Sequence, residues 1–501
     1  MSLTVSIPAA ALPDSSGRAR PCRMKAWTML LAVVLSVWVL SSDARAQTVE
    51  PIEFDLERDS TVQAEEWTIT VPENRSNPDS RDIPIRFVRF ESRAESPGPP
   101  IIYLAGGPGG AGTGAAAGRR WDLFDRLRDV SDVIALDQRG TGRSDEVPGC
   151  ESDHGMPPDS ASTRARVVRV HRQALDQCLA FWESQGVDLQ GYTTWESAAD
   201  INAVREALGV DRVHLLGISF GTHLALATLK RYPETVDRLV LASAEGLDQT
   251  VKRPARHDRF LSRLQAAIDA DSAAAARYPD VDGRMREVLD AIEADPPIFT
   301  VNTRDGASFE RTLGRFEAQL MTGFMMGDPK NATLMLQIYH RASEGDFSGF
   351  GRLIQWFATP TVQMSGMAEA MDLASGISAE RLALVRDEAE TAVVGDALNF
   401  PMPHLQGAIP GIDLGEAFRA PVMSNRPALL ISGTLDGRTF PEAHAEIAEG
   451  FPNGAILTVE NAGHNLFFSH RAIGTRIADF FAGTPARADT LVAPAPSFMM
   501  E

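Results

Sequence analysis

Gly217-Ile218-Ser219-Phe220-Gly221 follows the apolar run Val213 to Leu216 and leads directly into a helical pattern from Thr222 to Arg231. A G-x-S-x-G in that setting reads as a strand-to-helix turn so tight that its serine takes a strained backbone conformation with the hydroxyl exposed. Small residues at Gly217 and Gly221 let such a turn close. A hydroxyl at its ordinary pKa is a weak nucleophile, so the reading requires a base and an orienting carboxylate elsewhere in the chain.

Both are present downstream. Ala428-Leu429-Leu430-Ile431 runs into Ser432-Gly433-Thr434-Leu435-Asp436-Gly437, which sets Asp436 in a loop just past a strand. Ala455 to Val459 is a second such run, followed by Asn461-Ala462-Gly463-His464. His464 would take the Ser219 proton, and Asp436 would hold the imidazole in the useful tautomer. Glu245 and Asp248, after the strand ending near Ala242, are rivals for the acid, whereas His223 and His444 fall on helices. The order Ser219, Asp436, His464 resembles that of α/β-hydrolases and differs from those of the chymotrypsin and subtilisin folds. Pro100 to Leu104 reads as a buried strand entering Gly106-Gly107-Pro108-Gly109-Gly110, a loop whose backbone amides can face a substrate. The backbone N–H groups of Gly107 and Phe220 are therefore expected to form the oxyanion hole.

Trp67 to Val71 and Ile83 to Phe87 alternate with period two, as the antiparallel edge of a mixed sheet does. Apolar runs at Pro100 to Leu104, Val133 to Leu136, Val213 to Leu216 and Leu239 to Ala242 then alternate with helical stretches. This is the rhythm of a parallel sheet covered on both faces, and the resemblance of the Ser219, Asp436, His464 order to α/β-hydrolases implies their fold, a mostly parallel eight-stranded sheet with helices on both faces. Between Ala244 and Pro427 the rhythm gives way to helical spacings such as Phe260-Leu261-Leu264-Ile268 and Phe316-Leu320-Phe324. A helical lid inserted after the sixth strand, over the strand C-terminal ends, accounts for this, the alternative being a second domain with no part in the site. The expected organisation is a signal peptide at 1–46, core at 47–246, lid at 247–420 and core again at 421–501. The Pro/Ala-rich end, Ala493 to Ser497, reads as a loose terminus.

The leader reading rests on Arg18, Arg20, Arg23 and Lys25, the apolar run Trp27 to Leu40, and Ala44-Arg45-Ala46 before Gln47. The apolar run is shorter than the roughly 20 residues of a spanning helix, so export to the periplasm or the exterior is expected rather than anchoring. Met24 is as good a start as Met1. Removing 1–46 takes five basic and two acidic residues from the chain's 48 and 67, leaving 43 and 65 and a formal charge of −22. That balance argues against nucleic acid and anionic membrane surfaces as partners. In an oxidising compartment Cys150 and Cys178, which flank a polar, proline-containing loop, are expected to pair, contributing about 3 kcal/mol; the alternative is two unrelated thiols. No H-E-x-x-H, Cys/His zinc spacing or P-loop Lys-Ser/Thr is found, so no metal or other cofactor is expected. Asp137 and Arg139 read as structural, fixing a loop through charge-assisted bonds.

Gly106-Gly107-Pro108-Gly109, the turn Asp137-Gln138-Arg139-Gly140-Thr141-Gly142-Arg143-Ser144 and the Ser219 segment together resemble the prolyl aminopeptidase family of α/β-hydrolases. Gly-Ile-Ser219-Phe-Gly-Thr-His-Leu-Ala, Gly433-Thr-Leu-Asp436-Gly-Arg-Thr, Ala462-Gly-His464, Tyr192-Thr193-Thr194 and the Cys150/Cys178 pair look like its secreted tripeptidyl aminopeptidase branch. The resemblance implies a secreted serine hydrolase working through an acyl-enzyme, an aminopeptidase releasing N-terminal residues or short peptides. The alternative is a carboxylesterase or related small-molecule hydrolase on the same triad, so the expected partner is a peptide or small ester substrate. An exopeptidase must also hold a free α-amino group, for which Glu245 and Asp372 are the candidate carboxylates, the alternative being ordinary solvated or helix-capping acids.

Overall fold

The computed structural model describes residues 47–303 and 306–499. The leader expected at 1–46, with its choice between Met1 and Met24, lies outside them. One large sheet holds ten strands: β1 (Gln47–Leu56), β2 (Ser60–Pro72), β3 (Asp82–Phe90), β4 (Ile101–Leu104), β5 (Val133–Leu136), β6 (Val213–Ile218), β7 (Val236–Ala242), β8 (Ala428–Gly433), β9 (Gly454–Glu460) and β10 (Asp489–Val492). Their spatial order is β1-β2-β3-β5-β4-β6-β7-β8-β9-β10. The first three strands pair antiparallel and join β5 antiparallel; every pairing from β5 through β10 is parallel.

Strands β4 and β5 are apolar and buried at every position because successive side chains enter opposite layers. Ile101 and Tyr103 pack with Val133 and Ala135 on one face. Ile102 and Leu104 pack with Ile134 and Leu136 on the other. The sheet has ten strands where eight were expected, the additions being its two edges, β1 and β10. Both are largely exposed, so neither needs the one-sided apolar alternation by which a strand is recognised in sequence.

The order of successive strands reverses around β4, whose neighbours are β5 on one side and β6 on the other. The C-terminal ends of β4 and β6 therefore border the crevice in which ligands of open α/β sheets lie. Leu104 is in register with Gly217, which brings the glycine loop after β4 beside the turn after β6.

Between β7 and β8 the chain is mostly helical, from Pro254–Asp269 to Ala379–Ala389, and has its own core around Leu264, Met285, Leu289, Met335 and Phe350. It also holds a hairpin, Ile298–Asn302 with Ser308–Thr312, whose short, half-exposed strands carry no clear sequence signal. Gln363–Met364 pairs with Cys150–Glu151, and Cys150 and Cys178 form a disulfide with their Cα atoms 5.7 Å apart. The described residues form one compact unit. No helix among the described residues is long and apolar enough to cross a membrane.

The terminus expected to be loose is packed. Ala493 N–H donates to the Glu460 carbonyl at 3.1 Å and Thr333 Oγ1 to the Ser497 carbonyl at 3.2 Å. Phe498, 1% exposed, is part of the helical insertion's core. A single aromatic anchor outweighs the local Pro/Ala composition.

Candidate active site

Ser219 stands between β6 and the helix Phe220–Arg231 with φ 55° and ψ −129°, a conformation that L side chains rarely adopt. The flanking glycines make the turn sterically possible. A Cβ on Gly221 would lie 2.0 Å from the Leu104 carbonyl oxygen, and one on Gly217 would lie 2.6 Å from the Gly221 oxygen. The glycine loop approaches from the other side, since a Cβ on Gly106 would meet Ser219 Cβ at 3.0 Å.

Asp436 and His464 extend from loops after the neighbouring strands β8 and β9. The His464 Nδ1 is 3.1 Å from Asp436 Oδ2 and 3.2 Å from Oδ1. Asp436 is fully buried and accepts three further bonds: Arg438 N–H at 2.8 Å, Thr439 N–H at 2.9 Å and Thr439 Oγ1 at 2.7 Å. Burial is the largest influence on its carboxyl and opposes ionisation, but the adjacent imidazole and the donors outweigh it and hold the pKa at about 2. A carboxylate so fixed orients the imidazole with Nδ1 as donor and leaves Nε2 as the basic nitrogen.

The main chain of His464 is also clamped. Its N–H donates to the Gly327 carbonyl at 3.0 Å, and its carbonyl accepts from Ser243 Oγ at 2.8 Å. Ser243 follows Ala242, whose carbonyl accepts the Ser219 N–H at 3.0 Å, so one β7 terminus touches both the serine and the histidine loops. No hydrogen bond joins Ser219 Oγ to His464 among the described residues. Such contacts are commonly long without substrate and tighten when it binds.

The amides of Gly107 and Phe220 have no acceptor among the described residues. Gly107 has φ 131° in the loop beside Ser219, and Phe220 N–H opens the helix, where no intrahelical partner exists. Phe220 directly follows the serine, and Gly107 follows Gly106, whose Cβ position meets Ser219.

The two candidate amine ligands differ. Glu245 is buried against Lys252, with Oε1 2.9 Å from Nζ, so its charge is already matched. Asp372, in the helix Met367–Ser375, has no ion pair or side-chain hydrogen bond among the described residues. Burial, foremost, pushes its carboxyl up to about 7; Lys252 draws it down and Glu245 pushes it up, so the three groups share one neighbourhood. The rival acid Asp248 is spent elsewhere, accepting from Ser378 N–H at 2.8 Å and Ser378 Oγ at 2.5 Å.

Asp137 accepts from Thr113 N–H, Thr113 Oγ1 and Arg143 N–H, and Arg139 forks onto Asp200 at 2.6 and 2.7 Å. Sequence reading missed Thr439, Ser243 and Lys252. Thr439 alone left a signal: an aspartate followed at two and three positions by donors is an Asx turn. His444 was set aside as helical; it is fully buried behind Asp436, with Nδ1 2.6 Å from Ser432 Oγ.

A family profile described as alpha/beta hydrolase fold matches residues 99–471. The serine protease Hip1 of Mycobacterium tuberculosis is 27% identical over 240 residues, 44% of this chain and 45% of that protein. The tripeptidyl aminopeptidase of Streptomyces lividans is 28% identical over 225 residues, 42% of this chain and 39% of its own length. The matches thus span less than half the length of these curated relatives. Among solved structures, proline iminopeptidase of Mycobacterium smegmatis aligns with 83% of this chain and 97% of its own at 17% identity and a TM-score of 0.40, a distance at which nothing about activity follows.

Proposed function

This chain belongs to the alpha/beta hydrolase fold family, and we propose that within it the protein is an exported serine aminopeptidase that releases N-terminal residues or short peptides through an acyl-enzyme. The observation that carries the reading is the buried Asp436 paired with His464 in the loops after β8 and β9, in the same sheet as β6, which leads into a strained, glycine-flanked Ser219. Peptidase relatives over the matched segment support the choice of a peptide amide.

In this mechanism His464 Nε2 removes the Ser219 hydroxyl proton as Oγ attacks the scissile carbonyl. The carbonyl oxygen gains negative charge between the Gly107 and Phe220 amides. His464 returns the proton to the leaving amine, and water, activated by the same imidazole, releases the acyl group. Asp436 stays ionised throughout and stabilises the imidazolium. The helical insertion, residues 247–420 in this reading, acts as a lid, and Asp372 receives the substrate ammonium, since Glu245 is held by Lys252. The Cys150–Cys178 disulfide supports a life outside the reducing cytoplasm.

Parallel assays of aminoacyl and tripeptidyl anilides against short acyl esters test this. Turnover of free-amine anilides, abolished together with fluorophosphonate labelling in Ser219→Ala, is the expected result. Ester turnover with no anilide turnover rejects the peptidase reading.

A further inference from the structure

The helix Arg315–Met325 is apolar on two faces. Ala318, Met321 and Met325 enter the insertion's own core. Phe316, Leu320 and Phe324, spaced by four, line a cavity of about 430 Å³ instead, with His171, Ile354 and Phe400 among its other walls. Phe316 and Leu320 also pack in a small cluster with Met156, Val167 and Val170, whereas Phe324 at the far end of the stripe is left open at the cavity mouth. The cavity has the size of a small-molecule site and a mainly apolar lining. Its mouth stays wet: Phe324 is 58% and Phe357 47% exposed, with ring centroids 5.7 Å apart.

The same helix ends at the candidate active site. The Arg438 guanidinium lies over the Phe324 ring, 5.9 Å from its centroid, and Arg438 N–H donates to Asp436. Three residues past Phe324, the Gly327 carbonyl accepts the His464 N–H. From Phe316 to Phe324 the helix rises about 12 Å, the length of three or four extended residues, so the open end of the trench stands against the Arg438 side chain, in the loop that carries Asp436.

His171 stands among the cavity's polar walls, which also include Thr359, Thr361 and Gln363. His171 Nδ1 is 2.9 Å from the Val167 carbonyl, which makes Nδ1 the donor and leaves Nε2 an acceptor without a partner among the described residues. Its ring meets Phe400 edge-on at 4.6 Å. The nearby Arg311 is already forked onto Glu317 at 2.8 and 3.1 Å, so it offers no free charge for an acid.

We propose that this trench is a specificity pocket for an aromatic side chain of the peptide substrate, within about three residues of the scissile bond, and that His171 Nε2 accepts a hydrogen bond from a phenolic hydroxyl. The inference rests on the peptidase reading and names the side chain that the site selects. Burying an aromatic ring there, rather than a methyl, raises kcat/KM roughly ten- to a hundredfold. Tyrosine then exceeds phenylalanine, because a phenol has a partner in the wall.

The test is a set of free-amine anilides and short peptides carrying Ala, Phe or Tyr at each of the three positions on either side of the bond. The full-length enzyme is compared with Leu320→Trp, which fills the trench, Leu320→Ala, which widens it, and His171→Phe. The expected result is a Phe/Ala ratio of at least ten at one position, falling toward one in L320W and retained in L320A, with the Tyr/Phe margin lost in H171F. A ratio near one at every position in the wild type, or one that L320W leaves unmoved, overturns the proposal. Melting temperatures of the variants separate misfolding from a change in selectivity. If no anilide or peptide is cleaved at all, the peptidase reading itself fails; cleavage without aromatic preference sinks the pocket alone.

Discussion

Thr439 Oγ1 donates to Asp436 Oδ2 at 2.7 Å, on the carboxylate oxygen that also faces His464 Nδ1 at 3.1 Å. The hydroxyl therefore fixes the carboxylate plane against which the imidazole is aligned. A buried hydrogen bond to a charged group contributes about 1.5–3 kcal/mol, and loss of alignment appears in the chemical step. Thr439→Val should lower kcat roughly tenfold or more with little change in KM, and Thr439→Ser should restore most of it. Steady-state kinetics decide, and a fall confined to KM would remove Thr439 from the orienting network.

Ser219→Ala deletes the nucleophile without disturbing a backbone conformation dictated by Gly217 and Gly221. Turnover should fall by several orders of magnitude while the melting temperature stays within a few degrees. Asp436→Asn should cost roughly three to four orders in kcat, because a neutral amide no longer enforces the Nδ1–H tautomer. Substantial activity in either variant, measured on the best anilide, would mean that another group does the chemistry.

His214, His223 and His444 are held neutral by burial, with pKa values lowered to about 4, and His257 to about 3. The unfolded chain begins to bind protons at these histidines near pH 6.5, whereas the folded one does not. Stability should therefore drop progressively as pH falls from about 6.5 to about 4, with His257 extending the loss to about 3. Asp436, depressed instead, loses its contribution only below about 4, so the two windows overlap only between about 4 and 3. Both ring nitrogens of His257 are buried without partners, so His257→Leu should flatten the slope. Thermal melts between pH 7 and 4.5 check this; a flat profile would refute it.

Asp372 carries the opposite sign. Its folded pKa is about 7, above that of a free aspartate near 4, so its ionisation costs stability as pH rises between the two. Asp372→Asn should stabilise the protein at pH 8, by on the order of 2 kcal/mol, and change little at pH 4. The same substitution should raise KM for free-amine substrates and narrow their advantage over N-acetylated ones. An unchanged ratio of free to acetylated substrate would free Asp372 from any role in amine binding.

What was legible in the sequence is what local steric rules dictate. The strained turn at Ser219 needs Gly217 and Gly221, Asp436 follows an all-buried run that marks a central parallel strand, and His464 follows an apolar run that buries Leu457 and Val459. The edges β1 and β10 were invisible because an exposed edge bears no core pattern. The Lys252–Glu245 pair and the Ser243 contact with His464 were hidden for different reasons. The first joins residues seven apart in an irregular segment with no period to read, and the second depends on how loops from separate strands meet, a contact between positions over 200 residues apart that no short-range pattern encodes.

Phe498 shows the same point at the chain's end and carries a prediction of its own. The residues before it have turn composition, yet its ring is 1% exposed in a core shared with Phe440, the neighbour of Thr439. The final segment therefore ties the helical insertion to the strand ends, alongside the Ala493–Glu460 and Thr333–Ser497 hydrogen bonds. Phe498→Ala leaves a cavity in that core and should cost about 3 kcal/mol, read as a lower denaturant midpoint with an unchanged slope. Phe498→Leu, which retains most of the volume, should cost less than half as much. Because Phe440 packs in the same cluster, F498A should also reduce kcat, and more so near the melting transition than at 25 °C. Wild-type stability in F498A would mean that the tail lies on the insertion without supporting it.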